Sequence, residues 1–232
     1  MRTLGMIGGM SWESTIPYYR HINETVKMER GGLHSARIIL YSVNFDEIEQ
    51  LQHAGRWDEA GAALADVAVR LESAGADGLV LCTNTMHRVA SVIESAVSIP
   101  LLHIADPTAL ALKKAGHTRV GLLGTRFTME HQFYRGRLQQ EHGLEVLVPD
   151  ANDRDALHRI IYEELCQGII REESRSVYVS IINRLKNEGA EAVILGCTEI
   201  SLLVKPQHIE GTPLFDTTSL HAMYAAHWAL DR

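Results

Sequence analysis

The sequence predicts an α/β architecture of two related halves, each built on a central parallel sheet. Three features carry that expectation: short apolar runs of strand length, longer helical segments between them, and three motifs that recur in the same order. The runs are TLGMI, ARIILYSV, GLVLC and IPLLHI in the first half and RVGLLG, LEVLVP, AVILG and TPLFD in the second. Continuous apolar strands alternating with helices are what a parallel sheet covered on both faces requires.

TLGMI passes directly into GMIGGMSWES at residues 5–14. Gly8 and Gly9 after a strand permit a tight turn and close approach of backbone to a ligand. Ser11 or Ser14 is placed to cap the next helix and to offer a hydroxyl or N–H group to a carboxylate. The glycine spacing is not the full GxGxxG of a dinucleotide site, and the acidic position such a site needs is not convincing. After ARIILYSV, the segment WDEAGAALADVAVRLESAG repeats Ala, Leu and Val at helical spacing before a glycine turn into GLVLC, so it covers the sheet with its polar residues in water. CTNTMH at residues 82–87 follows that strand. Its Asn84 and Thr85 either bind a carboxylate or cap a helix, the same amide and hydroxyl chemistry serving both purposes.

In the second half RVGLLG leads into GTRFTME, which presents Thr125 and Thr128 to a carboxylate, with Arg126 either adding charge or lying in solvent. Cys166, in IIYEELCQGI, has the spacing of a packing residue at a helix end. AVILG runs into GCTE at residues 196–199, with Gly196 before Cys197 and Thr198 and Glu199 after it. N–H groups at a helix start there are expected to stabilise a thiolate and lower the pKa of Cys197. Gly211 and Pro213 mark a turn before the amphipathic helix DTTSLHAMYAAHWALDR.

GMIGGMSWE from Gly5 matches GLLGTRFTME from Gly121 at an offset of 116, and GADGLVLCTNT from Gly75 matches GAEAVILGCTE from Gly189 at 114. HIADPTALA around Asp106 matches LFDTTSLHA around Asp216 at 110. In the second pair Leu81 meets Leu195, Cys82 meets Gly196 and Thr83 meets Cys197. The chemically interesting pair is therefore Thr83 with Cys197, while Cys82 is one residue out of register and faces away on an extended segment. A pseudo-twofold arrangement would put Thr83 and Cys197 on opposite walls of an interdomain cleft at the strand ends, where open α/β sheets take ligands. The expected domains are residues 1–98 and 99–208, with 209–232 returning to the first.

Composition narrows the function classes. Of 232 residues, 46% are hydrophobic and 22% charged, which suits a globular core. A formal net charge of -7 and the lack of a basic run argue against a broad nucleic-acid surface. Apolar runs fall far short of a membrane span, and the three cysteines form neither a disulfide framework nor a metal motif, so a cytoplasmic, metal-free protein is expected. The histidines, His87, His103 and His221 among them, are scattered and require no shared site. Asp106 and Asp216 read as turn or cap residues.

GMIGGMSWESTIPYY, LCTNTMH, GLLGTRFTM followed by FYRGRL, and GCTEISLL, in that order along nearly the whole chain, resemble the aspartate/glutamate racemase family, in particular its broad-specificity amino-acid racemase branch. The resemblance implies an isomerase that needs no cofactor, with acid/base residues at Thr83 and Cys197. Thr83 departs from the pair of cysteines that family members most often use. The resemblance further implies substrate contacts from Met10, Gln52, Asn84, Thr85, Thr125, Thr128 and Thr198. The implied reaction is reversible α-proton transfer on aspartate, glutamate or a neutral amino acid such as homoserine. Gln167, where some members carry a basic residue, leaves the side-chain preference open. A small amino acid is the expected partner, with no nucleic acid and no membrane, and a homodimer is the simplest assembly. Other carbanion isomerases, a hydantoin racemase, a decarboxylase and a noncatalytic carboxylate-binding protein are the alternatives.

Overall fold

The computed structural model describes residues 1–231, which form two compact units: Met1–His103 with the residues from His221 on, and Ile104–Leu220. Unit 1 holds β1 (Thr3–Gly8), β2 (Arg37–Ser42), β3 (Gly78–Leu81) and β4 (Leu101–Leu102) in the parallel order β2-β1-β3-β4. Unit 2 holds β5 (Arg119–Gly124), β6 (Glu145–Leu147), β7 (Ala192–Gly196) and β8 (Leu214–Asp216) in the parallel order β6-β5-β7-β8. Each strand lies on one of the apolar runs named above, and the two α/β units are similar in sheet order.

The helices of unit 1 are α1 (Trp12–Arg30), α2 (Phe45–His53), α3 (Trp57–Ser73) and α4 (Ala90–Ala96). Those of unit 2 are α5 (Ala105–Lys114), α6 (Arg126–Glu130), α7 (Gln132–Gln140), α8 (Ala151–Glu163), α9 (Glu172–Asn187) and α10 (Ile200–Leu203). The last, α11 (Thr217–Leu230), begins in unit 2 and continues into unit 1. No helix among the described residues is long and apolar enough to cross a membrane.

Strand alternation sorts the unit 1 core into two layers. Ile7, Leu79 and Leu81 point into one layer with Leu64, Val67 and Leu71 of α3, residues at helical spacing on a single face. Leu4, Met6, Val80 and Cys82 point into the other, with Tyr18, Ile22 and Val26 of α1 and the alanines Ala222, Ala225, Ala226 and Ala229 of α11. Small residues on that face of α11 let it lie close to the sheet. At Gly78 even a Cβ would stand 2.5 Å from the Trp228 ring, so this glycine is fixed by a close approach. In unit 2, Val120, Leu122, Val193 and Ile194 join Leu157 and Ile160 of α8 and Ile181 and Leu185 of α9 in one core.

The ladders carry the repeat. Gly5 pairs with Leu79 and Gly121 with Val193, which preserves the offsets of 116 and 114. The third offset needs correction. Leu79 pairs with Leu101 and Val193 with Leu214, so β4 and β8 correspond at 113 positions rather than 110. Asp216 ends β8 opposite Leu195, whereas Asp106 lies in the first turn of α5. The two aspartates are thus not equivalent; their similar flanking residues aligned a strand end with a helix start.

Candidate functional site

Except for Gln52 of α2, the sequence-predicted residues lie on the segments that leave the carboxyl ends of β1, β3, β5 and β7. After β1, Gly9 adopts φ 92° with the Val43 carbonyl where a Cβ would go, so only glycine fits this turn. Its N–H donates to Thr15 Oγ1 at 2.9 Å, and that hydroxyl donates to Ser11 O at 2.8 Å. Ser11 is the N-cap of α1 but makes no side-chain capping bond. Thr15, which sequence reasoning passed over, ties the loop instead. Met10 is buried in the α3-side core, and Gln52 of α2 donates through Nε2 to Met86 Sδ at 2.9 Å.

After β3, Cys82 N–H donates to Ile7 O and Thr83 N–H to Leu81 O, each at 2.9 Å. Thr83, Asn84 and Thr85 are all buried. Asn84 starts the short turn Thr85–Val89 without capping it through its amide. Cys82 turns into the layer of Tyr18 and Leu102, and burial pushes its thiol far above the ordinary range.

In unit 2, β5 and β7 approach so closely that a Cβ on Gly124 would stand 2.7 Å from Gly196 O. Thr125 then caps α6, its Oγ1 accepting from Thr128 N–H at 3.3 Å and lying 3.2 Å from Thr128 Oγ1. Arg126 pairs with Asp155 at 3.0 Å on an exposed face.

After β7, Cys197 Sγ donates to Glu199 Oε2 at 3.0 Å, and Thr198 Oγ1 donates to the same oxygen at 2.9 Å. All three side chains are buried. The expectation of a lowered Cys197 pKa is overturned. Burial first, then the Glu199 and Cys166 charges and the thiol's own bond to Glu199, push the thiol well above its ordinary value. The helix that follows, α10, has only four residues, too short a dipole to compete with a carboxylate in contact. Cys197 therefore rests as a thiol, hydrogen-bonded to the Glu199 carboxylate. Glu199 is the candidate functional residue to which sequence reasoning gave no role; its signal was an acid two residues after the cysteine.

Tyr178 of α9 is fully buried, its hydroxyl lacks a hydrogen-bond partner among the described residues, and burial, helped by the nearby Glu199 carboxylate, pushes its pKa well up. Gln167 is exposed and donates to Tyr162 O at 3.3 Å. The histidines are less scattered than the sequence suggests. In unit 1, His87, His103 and His221 are buried together, with ring centroids 4.4 Å apart for His87 and His103 and 6.0 Å apart for His87 and His221.

Comparison with known proteins places this architecture. The family model for Asp/Glu/Hydantoin racemase matches residues 7–225. A crystal structure from Yersinia pestis, provisionally assigned as an Asp/Glu racemase, is 58% identical and superposes with a TM-score of 0.91 over 100% of both chains. An aspartate racemase homologue from Pyrococcus horikoshii OT3 is 34% identical, with a TM-score of 0.84 over 100% of both chains. The broad specificity amino-acid racemase RacX of Bacillus subtilis is 24% identical across 93% of each chain. The matched span and the shared two-unit α/β fold establish that this chain belongs to the Asp/Glu/hydantoin racemase family.

Proposed function

We propose that the protein is a cofactor-independent amino-acid racemase that inverts the α-carbon by removing and returning its proton. The observation that carries this reading is the Cys197 thiol bonded to the buried Glu199 carboxylate. Transfer of the thiol proton to Glu199 leaves a thiolate, which takes the α-proton and becomes a thiol again. The electron pair of the broken C–H bond passes into the substrate carboxylate, where Asn84, Thr85, Thr198 and loop N–H groups hold the developing charge. Thr83 supplies a proton to the other face of the α-carbon and recovers it from water. Glu199 returns its proton to solvent, and all groups regain their starting states.

Burial suits such a scheme, because a thiolate formed away from water is a stronger base. A threonine hydroxyl is a far poorer proton carrier than a thiol near neutral pH, so transfer at Thr83 limits inversion: the enantiomer whose proton faces Cys197 exchanges that proton faster than it inverts, while kcat/KM for inversion is the same from both enantiomers, as an equilibrium constant of one requires.

Met10, Gln52, Asn84, Thr85, Thr125, Thr128 and Thr198, the proposed contact residues, include no cation. Arg126 is engaged with Asp155, and Gln167 carries no charge. These observations support a specificity that extends from aspartate and glutamate to neutral polar amino acids such as homoserine.

The test follows α-deuterium incorporation and chiral composition together in D2O, without added cofactor, for L- and D-aspartate, glutamate and homoserine. Exchange with inversion is expected. Conversion to a different constitutional product would favour another carbanion reaction, and binding without exchange would favour a carboxylate-binding protein.

A further inference from the structure

We infer that His87 is a positioning residue for Thr83, acting through the Thr83 main chain, an inference that rests on the proton-transfer role proposed for Thr83 above. His87 Nδ1 lies 2.7 Å from Thr83 O. A carbonyl oxygen only accepts, so Nδ1 carries the proton and donates it, and the tautomer of the neutral ring is fixed. Thr83 N–H is already committed to Leu81 O at 2.9 Å. Both main-chain polar groups of Thr83 are therefore held, and the direction of its hydroxyl depends on rotation about one side-chain bond.

The ring that does the holding is itself wedged in place. The edge-to-face contacts with His103 and His221 fix its plane, at interplanar angles of 65° and 66°. His221 is locked in turn: its Nε2 donates to Leu102 O at 2.7 Å, and its Nδ1 accepts from Tyr18 OH at 2.9 Å. Tyr18, on α1, and His221, on α11, are both fully buried. The support beneath the Thr83 loop thus runs from the β3 exit to the β4 backbone through three imidazoles drawn from distant parts of the sequence. Three apolar residues of similar volume would fill this space without needing hydrogen-bond partners. What the imidazole at position 87 adds is a donor at one defined point, under the residue that must present a hydroxyl to the substrate.

The test uses full-chain wild type, His87→Asn, His87→Gln, His87→Leu and Thr83→Ala, with L- and D-glutamate and L- and D-homoserine as probes. Asn places an amide donor near the Nδ1 position, Gln places it about one bond farther out, and Leu removes it. Expected is a kcat for His87→Asn within about threefold of wild type. His87→Leu and His87→Gln should lose about tenfold or more in kcat with KM changed by less than about twofold, because a small misplacement of a reacting group is costly while binding contacts survive. The loss should fall on proton delivery from the Thr83 side, leaving exchange by Cys197 in place. Should His87→Leu fail to give a cooperative melt, the Asn and Gln pair carries the comparison.

Equal impairment of His87→Asn and His87→Gln, or a loss of α-deuterium exchange at the Cys197 face as large as the loss of inversion, would overturn the inference and leave a packing role. If Thr83→Ala keeps wild-type kinetics from both enantiomers, the role of Thr83 fails and the inference with it. If Thr83→Ala is impaired while His87→Leu and His87→Gln are not, His87 alone is excluded.

Discussion

Cys197 and Glu199 are joined by a buried hydrogen bond: the thiol donates to one carboxylate oxygen across 3.0 Å, and Thr198 donates to the same oxygen. The negative charge of Glu199 opposes formation of the thiolate, yet the same carboxylate is the group that can accept the proton.

Glu199→Gln separates these two effects. Removing the charge relieves the repulsion, so the Cys197 titration, read as pH-dependent alkylation at that residue by mass spectrometry, moves to lower pH. Removing the proton acceptor lowers kcat, by about 10²-fold or more. A titration that stays in place, or a kcat near wild type, would show that Glu199 does not act on the thiol.

Cys197→Ala should abolish α-deuterium exchange while retaining the fold, because deleting one Sγ at the end of β7 leaves the core of Leu122, Val193 and Ile194 intact. Cys82→Ala should keep exchange, since Cys82 lies in the opposite layer from Leu81 and Met86 with its thiol held protonated by burial. Its cost is one of stability, about 1 kcal/mol for a small cavity. Thermal melts and exchange assays on both variants check the pair, and substantial exchange in Cys197→Ala would remove this cysteine as the base.

Thr83→Cys replaces a hydroxyl with a more acidic and more basic-competent thiol. Inversion should rise by about tenfold or more from both enantiomers, narrowing the gap between exchange and inversion for the enantiomer whose proton faces Cys197. Unchanged turnover from both enantiomers would argue against proton transfer at this position.

The sheets were legible because their information is local. Runs such as RVGLLG and AVILG are apolar on consecutive residues, and glycines such as Gly75 and Gly189, at φ 95° and 99°, punctuate them. The Gly5–Gly121 and Gly75–Gly189 matches read true for the same reason. The Asp106–Asp216 match did not, because a polar residue before a helix looks alike in sequence whether it ends a strand or starts a turn of helix. Glu199 stood beside Cys197 in the sequence without a role, since an acid two residues after a cysteine carries no mark of burial, and only the fold shows it buried. His87, His103 and His221 have no common sequence pattern; parallel strands and the returning α11 are what assemble them.

Asp106 gives a stability prediction with a definite sign. Burial opposes its ionisation, but Arg137 outweighs that cost with Nε to Oδ1 at 2.7 Å and Nη2 to Oδ2 at 2.9 Å, helped by His142 at 3.0 Å, and the carboxyl is held below its ordinary value of 3.8. A depressed folded-state pKa stabilises the fold above the unfolded value and ceases to do so as the pH falls through the folded one. Arg137→Met should therefore lower stability at pH 7 by about 1–2 kcal/mol, the charge-assisted bonds being partly exposed. For a chain of this size that corresponds to about 3–6 °C in Tm. The gap between variant and wild type should narrow as the pH drops below about 4, because protonated Asp106 no longer gains from the guanidinium. Melting curves at pH 7, 5, 4 and 3 measure this gap directly, and one that stays constant across the series would mean that Arg137 stabilises unit 2 through its packing rather than through the Asp106 charge.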